Sequence, residues 1–463
     1  MKKYVLKKYE FLGDLLTPVG VYLALRDHFA DCKLLESAEY GNSINSRSII
    51  SFNQIQSISI KENSITHTNK ISQTSEVLKN KAESILEEFH QLIKSQIENP
   101  SNECSPLLVG YVGYNSIKYF DSIELERKDF NKLEIPEIEF GFYEFNILFD
   151  HFNNKVTIFR YENELSKHSI DEILTILAKP NFDQLSFGTS DEEKEYDSPE
   201  NFISQVEKSI HHCKIGDIFQ AVISRKFSQT FTGDDFKFYR SLRHINPSPY
   251  MFYFDYGSYK LIGSSPESHL EVKNDEVKIN PIAGTIKKTG EKDADKDRLQ
   301  KLIEDPKENS EHDMLIDLAR NDLSKHCKNV ELVRKKEVQE FSHLYHLVSE
   351  VKGTIKNSAN LFQLLATSFP AGTLSGAPKY RAMQLIEELE THNRNFYGGA
   401  IGFIDTSSNL NMAILIRTAC SMENKLTYFA GAGITVGSIP KNELIEIENK
   451  LMAIRKAIEH AKQ

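Results

Sequence analysis

Residues 399–436 read GAIGFIDTSSNLNMAILIRTACSMENKLTYFAGAGITV. Three runs in this stretch, at 399–405, 411–422 and 425–436, are rich in Ile, Thr and aromatic residues, as β-strands are. The segments between them contain Ser, Asn and Asp, which are typical of turns. Because strands joined by tight turns run in opposite directions, the stretch predicts consecutive antiparallel strands.

Helical patterns lie on both sides of this stretch. Ser198 followed by Pro199 is a typical helix start, and Gly216 is a typical helix end. Elsewhere apolar residues recur every three or four positions, as on the buried face of a helix. The predicted helices cover residues 76–96, 198–216, 308–323 and 442–462, and two more begin after Ser169 and Pro378. Antiparallel strands with helices between them predict an α+β protein built in layers.

A polar segment divides the chain. Acidic residues crowd between positions 180 and 199, where large apolar residues are almost absent, as in linkers and surface loops. We therefore predict an N-terminal domain at 1–180 and a C-terminal domain at 198–463. The length of 463 residues is enough for two or three domains.

The composition excludes several classes of protein. The 56 Lys and Arg against 66 Asp and Glu give a net charge of −10, which argues against nucleic-acid partners and against a polybasic membrane binder. The basic start is followed by no continuous apolar stretch, and no run of 18 apolar residues occurs, so we predict neither a signal peptide nor a membrane span. The five cysteines form no CxxC pair and are interpreted as reduced thiols of a cytoplasmic protein.

Glu311 is the first residue whose position suggests chemistry. In the predicted 308–323 helix it shares a face with Met314, Leu315 and Leu318, so its carboxylate points towards the interior. A buried carboxylate needs a partner or a metal ion. The alternative is a glutamate in the first helical turn, stabilised there by the helix dipole, and the pattern alone leaves both open.

Arg417 is the second such residue. It lies in the apolar run 411–422 and shares a predicted strand face with Ala413, Leu415 and Ala419. A guanidinium in such surroundings is costly unless an anion meets it, either a ligand or an internal ion-pair partner. Read alone, the strand slightly favours the ion pair.

Two glycine-containing segments are further candidates. The loop FPAGTLSGAPK at 369–379 leads into a helix, and free N–H groups at such a terminus, with the Thr373 hydroxyl nearby, suit a carboxylate or phosphate. Gly431 and Gly433 end a predicted strand and permit a ligand to approach the backbone, although they also fit a simple bulge.

Several motifs together resemble one enzyme family. They are PIAGT at 281–285, ENSEHDMLIDLARNDL at 308–323, HLVS at 346–349, the 369–379 loop, YGGA at 397–400 and GAG at 431–433. In this order they resemble the chorismate-utilising enzymes, in particular the anthranilate-forming members, over nearly all of residues 198–460. The first half matches more weakly, through LLES at 34–37. The resemblance implies a layered α/β/β/α fold with two large antiparallel sheets.

The same resemblance implies how the substrate is held. Chorismate is a dianion whose ring carboxylate is bound through Mg²⁺ in this family, and the motifs assign Glu311 and Glu446 as the metal ligands. Two carboxylates, substrate and water suit this hard cation. The positions implied for substrate binding are Gly284, Thr285, Tyr397, Arg417, Gly431, Ala432 and Gly433, with Thr373 lining the same cleft. Within the resemblance, Arg417 is therefore expected to meet a ligand.

The implied reaction has two halves. Ammonia adds at ring C2 while the C4 hydroxyl leaves, and elimination of pyruvate then yields anthranilate. By resemblance, Glu267 protonates the departing hydroxyl, a role that requires a raised pKa. His346 is the family's active-site histidine and is assigned a proton in the elimination. A purely hydrogen-bonding histidine would look the same in the sequence.

Two positions discriminate between members of the family. Isochorismate and salicylate synthases carry a lysine base where this chain has Gln220, and a glutamine cannot activate water. Typical aminodeoxychorismate synthases carry a lysine nucleophile where this chain has Ala283. These two exclusions leave amination at C2 as the predicted reaction. The alternative among enzymes is a lysine-free aminodeoxychorismate synthase, and the alternative without catalysis is a tryptophan-sensing relative.

Partners follow from what the chain lacks and from the resemblance. None of the cysteines lies in a Gly-x-Cys-x-Gly motif, so we predict no fused glutaminase domain. The resemblance implies that a separate glutamine amidotransferase subunit supplies the ammonia. The segments LLES at 34–37 and NPSPYMF at 246–252 resemble the family's tryptophan pocket, which predicts feedback inhibition. The inhibitor residues assigned in this way are Ser37, Pro249, Tyr250 and Met251.

Overall fold

The computed structural model describes residues 3–37, 46–69, 73–79, 81–99, 105–125, 133–179, 186–340 and 344–463. The α-helices are α1 (Pro18–Arg26), α2 (Ala82–Ser95), α3 (Ile117–Phe120), α4 (Ile170–Leu177), α5 (Pro199–Lys214), α6 (Asp235–Ile245), α7 (Lys292–Glu304), α8 (Pro306–His326), α9 (Leu361–Ser368), α10 (Lys379–Leu389) and α11 (Pro440–Ala461).

The strands of the first half are β1 (Tyr4–Leu12), β2 (Lys33–Glu36), β3 (Arg47–Lys61), β4 (Ser64–Asn69), β5 (Gln73–Val77), β6 (Ile97–Glu98), β7 (Pro106–Val112), β8 (Ile138–Asp150), β9 (Lys155–Glu162), β10 (Phe187–Thr189) and β11 (Lys194–Glu195). Those of the second half are β12 (Gln220–Gly233), β13 (Tyr250–Asp255), β14 (Lys260–Ser265), β15 (Ser268–Lys273), β16 (Glu276–Ile279), β17 (Ile282–Lys287), β18 (Cys327–Glu340), β19 (Leu344–Ile355), β20 (Gly376–Ala377), β21 (Ala400–Asp405), β22 (Leu410–Ile414), β23 (Thr418–Met422) and β24 (Lys425–Thr435).

Two runs of antiparallel strands extend from the long β3–β8 pair, which runs from Arg47 opposite Asp150 to Ile60 opposite Ile138 with a register shift between Gln54 and Gln56. One run continues through β2, β13, β14, β23 and β24 to β12. The other continues through β7, β21, β22, β15 and β16 to β19 and β18. Strands of the first and second halves therefore pair with each other, at β2–β13 and β7–β21. The division into domains at 1–180 and 198–463 stays a prediction.

The buried residues form layers on and between these runs. One cluster joins the first run to α1, α5, α6, α10 and α11, and a second joins the other run to α2, α8 and α9. A third cluster, which includes Tyr111, Phe252 and Leu415, lies between the two runs. The α+β class and the α/β/β/α layering are thereby confirmed. Among the described residues, no helix has a stretch both long and apolar enough to cross a bilayer.

Most predicted helices are present, and their ends have the expected caps. The Ser198 hydroxyl accepts from the Asn201 N–H at the start of α5, and Ser169 accepts from Glu172 N–H at the start of α4. The helix predicted at 76–96 begins only at Ala82. Its first part belongs to β5, which pairs with β4, so tertiary pairing overrides the local helical pattern there.

The strand predicted at 411–422 is interrupted. β22 ends at Ile414 and β23 begins at Thr418, and Arg417 between them has a positive φ of 51°. The Leu415 N–H donates to the Gly399 carbonyl in the register of the β21–β22 pair, so the break comes after Leu415. The prediction of one continuous strand was therefore wrong, because the chain changes neighbours here, with β22 on β21 and β23 on β14.

Candidate functional site

Glu267 and Thr373 meet at a small cavity of about 40 Å³ between β15 and α8. The Thr373 hydroxyl donates a hydrogen bond of 2.9 Å to Glu267 Oε1. Burial raises the pKa of Glu267 to about 7, although the Thr373 hydrogen bond and the charge of Lys450 lower it in part. The carboxyl group therefore holds a proton up to nearly neutral pH and can act there as a general acid.

A close helix contact fixes the turn that carries Thr373. Residues Gly372–Leu374 form a single 3₁₀ turn, and a Cβ atom at Gly372 would lie 2.1 Å from Leu318 Cδ2 on α8. The missing side chain at Gly372 lets the Leu318 side chain of α8 pack directly against this turn. The packing of α8 thus holds the Thr373 hydroxyl against Glu267.

His346 lies opposite Thr285 on the β17–β19 pair. The register shifts at Gly284, which has a φ of +73°, and its carbonyl oxygen lies 3.4 Å from His346 Nδ1. Burial lowers the pKa of His346, so the imidazole is neutral near pH 7. A neutral imidazole can accept a proton.

The acidic side of α8 faces this strand pair. A Cβ atom at Gly284 would lie 3.3 Å from Glu308 Oε2, so Glu308 reaches the β17 bulge. Glu308 is the acidic residue of the first turn, whereas Glu311 lies in the second turn and its Oε1 is shielded from solvent. The dipole interpretation left open by the sequence therefore fits Glu308 better than Glu311. Leu315, one turn beyond Glu311, lines the Glu267 cavity.

The guanidinium of Arg417 has few protein partners. Its Nη1 donates to the Lys450 carbonyl at 2.8 Å, and within the described residues no Asp or Glu oxygen lies within 4.0 Å of it. Desolvation lowers the pKa of Arg417, while Tyr397 and Glu446 act in the opposite direction. The internal ion pair that the sequence slightly favoured is thus not formed in the described part of the chain, and donors remain for an anionic ligand.

Alternation along β24 turns Gly431 and Gly433 away from the helix-facing core that holds Ala432. A Cβ atom at Gly431 would lie 2.6 Å from the Tyr397 hydroxyl oxygen, and one at Gly433 would lie 2.5 Å from Gln220 Nε2. The Tyr397 ring stacks on Phe429 at a centroid distance of 5.3 Å. The absence of side chains at these glycines therefore lets the Tyr397 hydroxyl and the Gln220 amide lie close to the β24 backbone.

Lys450 was not assigned to the site from the sequence, and Gln220 was named only as the position where other family members carry a lysine base. Gln220 Oε1 is buried, and the described residues offer it no hydrogen-bond partner. Lys450 Nζ donates to the Gly431 carbonyl at 2.7 Å and lies 2.6 Å from Glu446 Oε1 on α11. The i, i+4 spacing of Glu446 and Lys450 was the signal that the sequence offered for this pair.

Electrostatic interactions connect the residues of the candidate site. Arg417 lowers the pKa of His346, and Glu446 and Arg417 both act on Tyr397, whose pKa burial raises. Lys450 acts in turn on Glu267. A series of charge interactions therefore runs from His346 through Arg417, Tyr397 and Glu446 to Lys450 and Glu267, at the junction of β15, β19, β24 and α11.

A second, larger cavity of about 540 Å³ is lined by Ser37, Pro249 and Tyr250 from β2, β13 and the segments next to them. Three of the four predicted inhibitor residues thus share one cavity. Met251 does not line it with its side chain, because neighbouring residues of a strand point to opposite faces, and it packs in the helix-facing core. Charged groups also line the cavity, among them Glu36 and Arg334.

Residues 32–456 match the family described as chorismate binding enzyme. The chain belongs to the chorismate binding enzyme family. It is 34% identical over 459 residues to anthranilate synthase component 1 of Lactococcus lactis, covering 96% of this chain and 98% of that protein. It is 33% identical over 476 residues to anthranilate synthase component 1 of Aquifex aeolicus, covering 98% and 94%. As a family member, the chain is a chorismate-utilising enzyme, which confirms the resemblance carried by the motifs.

Two solved structures have the same fold as this chain. Anthranilate synthase component I from Streptococcus pneumoniae superposes with a TM-score of 0.75 at 32% identity, over 96% of this chain and 98% of that one. The menaquinone-specific isochorismate synthase of Escherichia coli superposes with a TM-score of 0.74 over 99% and 95%. At 16% identity, this second likeness shows the fold alone.

Proposed function

We propose that this chain is the large subunit of an anthranilate synthase, converting chorismate and ammonia to anthranilate, pyruvate and water. The observation that carries the proposal is the buried Glu267 carboxyl, whose pKa of about 7 suits an acid at neutral pH. The proposal also agrees with the names of the relatives that align over nearly the whole chain.

In the first half-reaction Glu267 donates its proton to the C4 hydroxyl, which leaves as water while ammonia adds at C2. Proton donation to a leaving group by a placed side chain contributes ~10²–10⁴-fold to rate. The Thr373 hydroxyl orients the carboxyl through its 2.9 Å hydrogen bond. Lys450 then stabilises the carboxylate that remains, since its positive charge lowers the pKa of Glu267.

The two substrate carboxylates need donors, and the site supplies several. Arg417 has guanidinium N–H groups left after its bond to the Lys450 carbonyl. Tyr397 has its hydroxyl beside Gly431, and the backbone at Gly431, Ala432 and Gly433 is held along β12. On the opposite side, Gly284 and Thr285 supply the backbone of β17.

We further propose that Glu311 and Glu446 hold Mg²⁺ together with the substrate carboxylate. The donor set fits, because carboxylate oxygens are the ligands this cation prefers and few dedicated protein ligands are needed. Glu311 lies one helical turn before Leu315, which lines the Glu267 cavity, and the charge of Glu446 acts on Tyr397 of the same site. When bound, Mg²⁺ supplies positive charge that neutralises the ring carboxylate as electron density moves onto it.

In the second half-reaction His346 takes up the proton of ring C2 while the C3–O bond breaks, and the enolate that leaves takes a proton at its methylene carbon to become pyruvate. The lowered pKa of His346 keeps the imidazole unprotonated near pH 7, so that it can accept this proton. The Gly284 carbonyl, 3.4 Å from Nδ1, favours a proton on that nitrogen and leaves Nε2 as the acceptor.

The nucleophile is proposed to be ammonia supplied by a separate glutamine amidotransferase subunit in the cytoplasm. Gln220, next to Gly433, offers an amide oxygen but no base, so water is not activated from this position. Tryptophan is proposed to inhibit by occupying the 540 Å³ cavity at Ser37, Pro249 and Tyr250, with Met251 on the same strand. Its volume is within the range of ~300–1,000 Å³ typical of small-molecule sites.

Product analysis tests the proposal. The pure chain is incubated with chorismate, Mg²⁺ and ammonium, and products are identified by fluorescence and mass. We expect anthranilate and pyruvate in equal amounts. An amino group at C4 would favour an aminodeoxychorismate synthase, and the absence of turnover would favour a non-catalytic tryptophan-sensing relative.

A further inference from the structure

Arg394 is among the largest side chains that the fold buries completely. Its Nε and Nη2 donate to the two carboxylate oxygens of Glu390, at 2.9 and 2.6 Å. A buried guanidinium whose fork is matched by a carboxylate is fixed in direction, because both groups are planar. Glu390 is itself held by the backbone N–H and the hydroxyl of Ser224, at 2.7 and 2.8 Å.

The remaining donors of Arg394 reach two other segments. Nη1 donates to the Leu374 carbonyl at 2.7 Å, and Nη2 donates to the Val222 carbonyl at 2.5 Å. Leu374 follows Thr373 in the 3₁₀ turn, and Val222 pairs with Gly433 across the β12–β24 ladder. One guanidinium therefore ties the turn that carries Thr373 to the strand that faces Gly433.

The same guanidinium also supports the tyrosine of the site. Its carbon lies 5.8 Å from the centre of the Tyr397 ring and 4.7 Å from that of Tyr114, within the range of cation–π contact. The Tyr397 N–H donates to the Arg394 carbonyl at 2.9 Å. Three segments of the proposed site thus share one anchor that itself contacts none of the groups assigned to the reacting atoms.

We propose that the Arg394–Glu390 pair is a positioning element of the catalytic pocket, which sets the distance between the Thr373 hydroxyl and the Glu267 carboxyl. The proposal rests on the proposed function, in which Glu267 is the acid. The guanidinium is needed rather than any cation, since a lysine ammonium cannot satisfy both Glu390 oxygens and two carbonyls in one plane.

A pH profile separates positioning from simple stabilisation. The Thr373 hydrogen bond lowers the pKa of Glu267, so its loss raises that pKa and moves the fall of kcat at high pH to higher pH. The other charged or titratable groups near Glu267 are Lys450 from α11, His269 on its own strand and Asp322 from α8. In the described structure these three have no hydrogen bond to Arg394.

The experiment measures kcat and KM for chorismate from pH 6 to 9 in Arg394→Lys, Thr373→Val and the double variant. For Arg394→Lys we expect kcat to fall by ~10–100-fold, as small misplacements near the reacting atoms do, with KM changed far less. The fall of kcat at high pH should move to higher pH in Arg394→Lys, as it does in Thr373→Val. In the double variant it should move no further.

Arg160→Lys is the matched control. Arg160 is buried on β9, where it pairs with Glu162 and donates to the His168 carbonyl, and in the described structure it has no hydrogen bond to the Thr373 turn, β12, β24 or α11. It should leave the pH profile unchanged. Glu390→Gln keeps the shape of the pair, so the fall of kcat at high pH should move to higher pH by a smaller amount than in Arg394→Lys.

Three results would overturn the proposal. One is that kcat falls at the same high pH as in the wild type in both Arg394→Lys and Glu390→Gln, while only the melting temperature decreases. Another is a shift of the same size in Arg160→Lys. The third is failure of both pair variants to fold while Arg160→Lys folds, since the pair would then serve folding alone. Failure of the proposed function is distinguishable, because the wild-type chain would then form no anthranilate.

Discussion

Replacing Glu267 by glutamine should make the protein inactive and, above neutral pH, more stable. Glutamine has nearly the same shape and keeps an oxygen that accepts from the Thr373 hydroxyl, so the packing around the cavity is retained. What is lost is the ability to ionise. We expect kcat to fall by ~10²–10⁴-fold, as for the removal of a general acid.

The size of the stability effect follows from the pKa. Burial raises the pKa of Glu267 from 4.5 to about 7. Between these pH values the folded protein keeps a proton that the unfolded chain has released, so the wild type loses stability as pH rises. At ~1.4 kcal/mol per pH unit the loss is at most about 3 kcal/mol at pH 8. Part of Glu267 faces the cavity, and water there reduces the loss, so we expect ~1–3 kcal/mol.

The assay is urea unfolding of wild type and Glu267→Gln at pH 5 and at pH 8. The free energy of unfolding of the variant, relative to wild type, should increase by ~1–3 kcal/mol between the two pH values. Glu276→Gln is the control. Hydrogen bonds from Lys278 and Lys352 lower the pKa of the exposed Glu276, so that variant should show no such gain at pH 8.

Two results would contradict the reasoning. If the stability difference between Glu267→Gln and wild type is the same at pH 5 and pH 8, the carboxyl is not desolvated. If Glu267→Gln retains turnover within threefold of wild type, this residue is not the acid.

Other predictions concern the metal, the nucleophile and the inhibitor. Glu311→Gln or Glu446→Gln should nearly abolish turnover at ordinary Mg²⁺ concentrations, measured by titrating the rate with Mg²⁺. The control Glu459→Gln, at an exposed residue in the last turn of α11, should keep its turnover. Normal activity in either site variant would refute the ligand assignment. Without ammonium, the wild type should form negligible isochorismate by chromatography, since Gln220 is no base; isochorismate as the main product would overturn the amination proposal. Ser37→Arg should fill part of the 540 Å³ cavity and weaken tryptophan inhibition while leaving uninhibited turnover largely intact; loss of catalysis in this variant, or a wild type that ignores millimolar tryptophan, would show that the segment is structural.

Local patterns in the sequence were enough for most of the secondary structure. Ser198 and Ser169 begin their helices with the expected caps, because a cap depends on residues three positions apart. The prediction of one strand at 411–422 was wrong because its outcome depended on residues far away in the sequence. Its break at Arg417 arises from a change of partner strand, which apolar alternation along the chain does not encode.

The candidate site divides in the same way. The sequence by itself determined the layered α+β class, the family and the positions of Glu267, His346 and Arg417 in their motifs. Only the tertiary structure decided that Glu267 has a pKa of about 7, since desolvation depends on all the segments that enclose a group. It also decided that Arg394 joins the Thr373 turn to β12, and that Met251 points away from the cavity lined by Tyr250. These contacts join residues about twenty to two hundred positions apart, and their geometry exists only once the strands have paired.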